Sequence, residues 1–173
     1  MKWVAATLFV VAGFSAAPLF AGAAVAVAPV KIGVPLQKTL HDQYGASDGA
    51  VLQEAVAERL QRALISAGAS ISDSAALRLD VSIERAVPSH PTRYQIQQNP
   101  SLDALRSVSL GGAHLHAVLH GADSKVLDEV DYDRFATSLD DVSPSGDAWG
   151  DARVSIDRFS DLVAKSWRRH AGS

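Results

Sequence analysis

The sequence has no cysteine among its 173 residues. That excludes a disulfide framework, a thiolate zinc site, a haem-attachment motif, a cysteine nucleophile and a cysteine-linked lipid. It also has no Lys/Arg run of the kind that tracks phosphates, and its formal net charge is −3, so no nucleic-acid partner is expected. Charge is missing altogether from Trp3 to Val30, where Ala and Val dominate.

That uncharged run begins after Lys2 and ends at Lys31. A short basic start, an apolar stretch and then small residues make a secretory leader, expected over residues 1–26. Two triplets, Ala21 to Ala23 and Ala24 to Ala26, offer the small residues that a signal peptidase reads. The alternative is an uncleaved anchor that associates with the membrane through the N-terminus; Gly13, Pro18 and Gly22 make the run a mediocre span. Residues 27–173 are expected to form one domain, long enough to be held by its own core. The composition, 47% hydrophobic and 20% charged, is that of a globular chain.

Alternation of Val30, Ile32, Val34 and Leu36 predicts a short first strand. Ser47 or Asp48 is placed to cap a helix from about Ala50 to Ala67, with Gly68 as its stop. Leu77, Leu79, Val81 and Ile83 alternate with Arg78, Asp80, Ser82 and Glu84, a clear strand. A connection from Val87 to Ser107 contains three prolines and is expected to be irregular, with at most one helical turn after Ser101. Two further strands flank the turn at Gly121 to Ser124. Setting Leu119 against Val126 and Leu115 against Val130 matches apolar side chains and places His116 opposite Glu129 and His114 opposite Asp131. Asp128, opposite Ala117, is the exception on the apolar face. A closing helix from about Trp149 to His170 carries Ala152, Ile156, Phe159, Val163 and Trp167 on one stripe. The expected fold is therefore α+β, a two-layer sandwich of order β-α-β-β-β-α. Its mostly antiparallel sheet of about four strands has both helices on one face. The other face is open to water and carries Arg78, Asp80, Glu84, His114, His116, Glu129 and Asp131.

"GGAHLHAVLHG", Gly111 to Gly121, holds three of the six histidines. Residues i and i+2 on one strand face lie about 7 Å apart, within range of a shared ion. His114 and His116, with Glu129 or Asp131 opposite, form a candidate divalent-metal set. The simpler reading is an exposed polar face with cross-strand His–acid pairs. "GASDG", Gly45 to Gly49, matches the Gly-x-Ser-x-Gly nucleophile pattern but follows no buried strand, and capping accounts for Ser47 and Asp48 better. The acidic residues Asp128, Glu129, Asp131, Asp133, Asp140 and Asp141 lack the spacing of a calcium loop. Tyr94 and Ile96, in the long connection, are candidate partner anchors that would equally well fold back over a core edge.

The stretches "SLGGAHLHAVLHGADSKVL" and "WGDARVSIDRFSDLVAKSW" resemble a group of uncharacterised Gram-negative envelope proteins, mostly lipoproteins, of unknown function. The first is similar to their Gly-Gly-Ala strand entering a hairpin, the second to the Trp-Gly-Asp start of their closing helix. The resemblance implies a periplasmic, envelope-associated domain and supplies no site residues; the lipobox cysteine usual in that group is absent here. The expectation is an exported, non-catalytic domain without a cofactor. It would bind an envelope protein, a cell-wall component or a membrane component through the open face, including Arg78, and the loop carrying Tyr94 and Ile96. The alternative is a periplasmic divalent-metal-binding protein using the His-x-His strand.

Overall fold

A computed structural model describes residues 23–171. Most of the expected leader lies outside the described residues. In chain order the elements are β1 (Ala24–Val27), β2 (Lys31–Ile32), α1 (Val34–Thr39), a π-helical turn (Leu40–Tyr44), α2 (Asp48–Ser66) and β3 (Ser70–Ile71). There follow β4 (Leu77–Val87), α3 (Arg93–Gln98), β5 (Gly112–His120), β6 (Val126–Phe135), a short 3-10 turn (Leu139–Asp141) and α4 (Gly150–His170). Among the described residues no helix is long and apolar enough to cross a membrane.

The fold is α+β: a mixed sheet of six strands with α2 and α4 on one face. The strand order is β3-β1-β4-β5-β6, with β2 also paired to β4. β1, β2 and β3 run parallel to their neighbours, and β4, β5 and β6 form the antiparallel meander. The sheet thus has more strands than the four expected, because its first part is built from short parallel pieces.

One of those pieces corrects the expected first strand. The chain pairs with β4 at Val25 to Val27 and again at Lys31 and Ile32, then turns into α1 at Val34. Pro35 sits in the first turn of that helix, where its missing N–H costs nothing. Leu36 and Leu40, one helical turn apart, are the buried residues of the segment.

The core is one contiguous cluster. Val25, Leu79, Val81, Ile83, Leu115, Ala117 and Leu119 line the inner face of the sheet. Leu52, Val56, Leu60 and Leu64 of α2 and Ile156, Phe159, Val163 and Trp167 of α4 cover it, each set at the three- and four-residue spacing of an apolar stripe. Arg59 of α2 bridges to Asp157 (2.6 Å) and Asp161 (3.1 Å) of α4 on the outer surface. Gly68, with φ +97°, ends α2 as expected.

The two halves of the fold are pinned where "GGA" meets "WGD". Asp151 is wholly buried, and one of its carboxylate oxygens accepts the backbone N–H of Ser143 at 2.7 Å. Ser89, at the end of β4, donates its N–H to the carbonyl of Ala148 (2.8 Å) and accepts that of Ser109 on its own carbonyl (2.9 Å). Gly111 lies in the crevice between Ser89 and Asp151: a Cβ there would stand 2.8 Å from the backbone nitrogen of Ser89 and 3.0 Å from Asp151 Oδ2. Gly112 is tighter still, with φ +153° and a position for Cβ 2.2 Å from the carbonyl oxygen of Arg134.

Gly112→Ala therefore combines overpacking against backbone with a conformation that disfavours side chains, and should cost about 2–5 kcal/mol in a urea titration. Gly121→Ala, whose added Cβ would come no nearer than 3.3 Å to Asp123 Oδ1, should cost less than about 1 kcal/mol. Equal losses at the two sites would refute the role assigned to the Gly111–Gly112 crevice.

Candidate functional site

The outer face of the meander is uncovered among the described residues and carries the residues expected there. The register differs from expectation, however. The β5–β6 connection contains one extra residue at Ser124, in the left-handed conformation at φ 61°, and the ladder shifts by another residue between Leu119 and His120. A single insertion would turn the polar side chains of β6 inward. Two restore the faces and displace the pairing by two residues. His116 therefore lies opposite Asp131 rather than Glu129, and His114 opposite Asp133 rather than Asp131. Glu129 lies opposite Val118.

Asp131 nevertheless joins both histidines. Its Oδ2 is 2.9 Å from His114 Nε2, along the diagonal of the ladder, and 3.4 Å from His116 Nδ1. The hydrogen bond from His114, with the positive charge of that ring when protonated, holds the Asp131 carboxyl below the usual carboxylate range. The neighbouring positions repeat the motif. Arg85 contacts Asp133 at 3.2 Å and stacks 4.1 Å over the ring of Phe135. Arg78 grips Asp80 with bonds of 2.7 and 2.9 Å, and Asp80 is 3.2 Å from His120 Nε2. His120 thus faces a carboxylate of β4 and lies opposite Val126 of β6.

Of the expected metal set, His114, His116 and Asp131 come together and Glu129 does not. Glu129 is displaced from the histidine pair, and Asp131 is a hydrogen-bond acceptor between the two rings. Among the described residues no group of three His, Asp or Glu side chains converges as a metal site would require. Tyr94 and Ile96 also differ from the expectation of an exposed loop. They belong to α3, both are half-buried, and the Cβ of Tyr94 rests against Gly45. The signal for this helix is Thr92-x-x-Gln95, a capping box in which the Thr92 side chain accepts Gln95 N–H at 3.2 Å and Gln95 accepts Thr92 N–H at 3.0 Å. Thr92 Oγ1 then donates to the carbonyl of Tyr44 at 2.6 Å, fastening α3 to the π-helical turn.

"GASDG" has a structural task. Ser47 immediately precedes α2, and Asp48 accepts the indole N–H of Trp149 at 2.9 Å. Tyr44 meets the same indole edge-on, with ring centroids 5.7 Å apart. A further carboxylate with a specific role is Asp128, the odd residue on the inner face. It lies opposite Leu119 and reaches α4, where it accepts the Ser166 hydroxyl at 2.6 Å and an Arg169 guanidinium N–H. The Ser166 hydroxyl, then Arg169 and the Glu129 N–H, hold its carboxyl down at about 2.

No protein-family model matches this chain, and no curated protein matches it. Solved structures resemble it. Protein XCC0632 from Xanthomonas campestris, of the DUF330 family, aligns with TM-score 0.50 at 11% identity over 91% of this chain and 93% of that one. A PelC dodecamer from Paraburkholderia phytofirmans aligns with TM-score 0.46 at 11% identity, over 84% of this chain and 86% of that one. A putative neuraminyllactose-binding hemagglutinin homolog from Helicobacter pylori reaches TM-score 0.34 at 13% identity, over 94% and 89%. At 11% identity the likeness to XCC0632 is one of fold alone.

Two predictions follow from the carboxylates. Asp128 titrates at about 2 in the folded chain against an ordinary 3.8, so its stabilising effect is present above about pH 4 and is lost as pH falls towards 2. Thermal melts at pH 7, 4 and 2 should show Asp128→Asn lowering stability at pH 7 by about 1 kcal/mol, and Ser166→Ala flattening the acid-side loss. An unchanged acid slope in both variants would show the contact is not made in solution. On the outer face, His114→Ala with His116→Ala should change stability by no more than about 0.5 kcal/mol at pH 7. Calorimetric zinc titration of the unmodified chain should show no sub-micromolar binding; tight binding abolished by the double substitution would restore the metal reading.

Proposed function

We propose that this chain is an exported, non-catalytic domain of the Gram-negative envelope that acts by binding a protein or cell-wall partner through the open face of its sheet. One observation carries the reading: helices cover one face, while the other presents Arg78, Asp80, Arg85, His114, His116, His120, Asp131 and Asp133 as a ladder of ion pairs and hydrogen bonds. The strands hold these groups on rigid backbone. A docking partner with alternating charge exchanges one set of half-exposed pairs for another, so matching charge provides orientation and rejects mismatched partners.

The same arrangement suits binding better than catalysis. A hydrolytic site needs a nucleophile, a base and an orienting group converging where water is excluded. Among the described residues no hydroxyl hydrogen-bonds to His114, His116 or His120. The buried pair Ser89 and Asp151 lies beneath the Gly111 backbone and serves packing. Export is supported by the uncharged N-terminal run that follows Lys2.

The test compares retention of envelope proteins and isolated cell walls on three immobilised forms: the unmodified chain, an outer-face variant (Arg78→Glu with Asp131→Lys) and a helix-surface control (Glu58→Lys). The expected result is a partner held by the first and third and weakened at least about tenfold by the outer-face changes, the scale of a lost close charge pair. Equal retention by all three would move the binding surface elsewhere.

A further inference from the structure

We infer that the leader is removed between Ala23 and Ala24, a position that rests on the export reading and sharpens it. Ala21-Gly22-Ala23, Gly22-Ala23-Ala24 and Ala24-Val25-Ala26 all offer small residues at the first and third places before a cut. Sequence alone does not choose among them. The sheet does.

β1 is an internal strand between β3 and β4. Val25 is wholly buried in the core, pairs with Ile71 on one side and Leu77 on the other, and accepts the N–H of Ser72 on its carbonyl at 3.1 Å. β3 has no other neighbour in the sheet. A cut after Ala26 would remove Ala24, Val25 and Ala26. It would leave a side-chain-sized hole in a close-packed core, strip β3 of its partner and expose the backbone of β4. A cut after Ala24 would set the new ammonium on wholly buried Val25 and unpair Ser70, whereas a cut after Ala23 forfeits the bond from Ser70 N–H to the Ala23 carbonyl, at 3.2 Å, and the partly buried Ala23 methyl.

The peptidase meets the chain before it folds, so the fold does not guide the enzyme. It decides which product assembles. In the folded chain Ala23 and Ala24 border a solvent-open cleft shared with Leu77, Asp123 and His170, so a new terminus is accommodated there. In the reaction water adds across the Ala23–Ala24 amide. The released leader keeps a carboxylate on Ala23, and the domain begins with an ammonium on Ala24.

The experiment expresses the full chain in a Gram-negative host and measures the intact mass of the envelope-recovered protein. The expected first residue is Ala24. Ala23→Val, which places a branched side chain beside the cut, should abolish that start. Ala26→Val, which suits a strand, should leave it unchanged. A first residue at Val27, or loss of processing in Ala26→Val, would overturn the position while leaving export intact. A chain still carrying Met1 would overturn the position and the export reading together.

Discussion

The close approach of Gly111 to Ser89 and Asp151 is the contact on which the rest of the arrangement depends. It brings the end of β4, the entry to β5, the loop before α4 and the first turn of α4 within van der Waals range. A carboxylate so enclosed is expensive unless its surroundings compensate. Asp151 takes the Ser143 N–H and sits in the first turn of a 21-residue helix, where unpaired N–H groups favour negative charge. The position of the carboxylate fixes where α4 starts. A helix started there runs its Ile156, Phe159, Val163 and Trp167 stripe along the inner face of the meander. Asp128 clasps its far end through Ser166 and Arg169. One acid at each end thus sets the helix on the sheet, and neither acid belongs to the outer face.

That division explains why the chain tolerates such a dense set of charges on its other side. The inner face is specified by packing and by two anchored carboxylates. The outer face is left to pairing between exposed groups, which contributes little to stability. Register is therefore decided by the buried set. The double insertion in the β5–β6 hairpin illustrates this: one extra residue at the turn and one in the strand together keep Val130 and Tyr132 on the inner face, opposite Ala117 and Leu115. The partners of His114 and His116 are a consequence.

What could be read from the sequence follows the strength of each local signal. β4 and α4 were legible because eleven and twenty-one residues give several full periods of two and 3.6. The helix cover on one face followed from those stripes. Val30 to Leu36 is too short to separate the two periods, and Gly33-Val34-Pro35 outweighed the alternation. β1 hid in the apolar N-terminal run because a buried parallel strand and the end of a leader have the same composition. In the hairpin the faces were legible and the register was not. Pattern matching is blind to a shift of two, and neither Ser124 nor Leu127 announces a bulge as a glycine would. His114, His116 and Asp131 were found together on the right face, while the pairs Asp80–His120 and Arg85–Asp133 came only from the register. The helix carrying Tyr94 was hidden because the Thr92-x-x-Gln95 cap stands between prolines that suggest a loop.

The topology also orders the surface. β1 and β4 both begin at the pole that holds the Gly121–Lys125 turn and the end of α4, so the chain enters the domain there. The opposite pole gathers α3, the Asp48–Trp149 contact and the loops around Gly111 and Ser143. The ladder of the outer face runs from one pole to the other, from Arg78, Asp80 and His120 to Arg85 and Asp133. Along that axis β4 presents both signs, β5 the imidazoles of His114, His116 and His120, and β6 a row of acids, Glu129, Asp131 and Asp133. A partner that contacts the whole length meets a pattern of both signs, which orients it as well as attracting it. A partner that contacts only one end meets a net sign set by one or two residues. Such discrimination by length is available to a flat ladder and not to a single pocket.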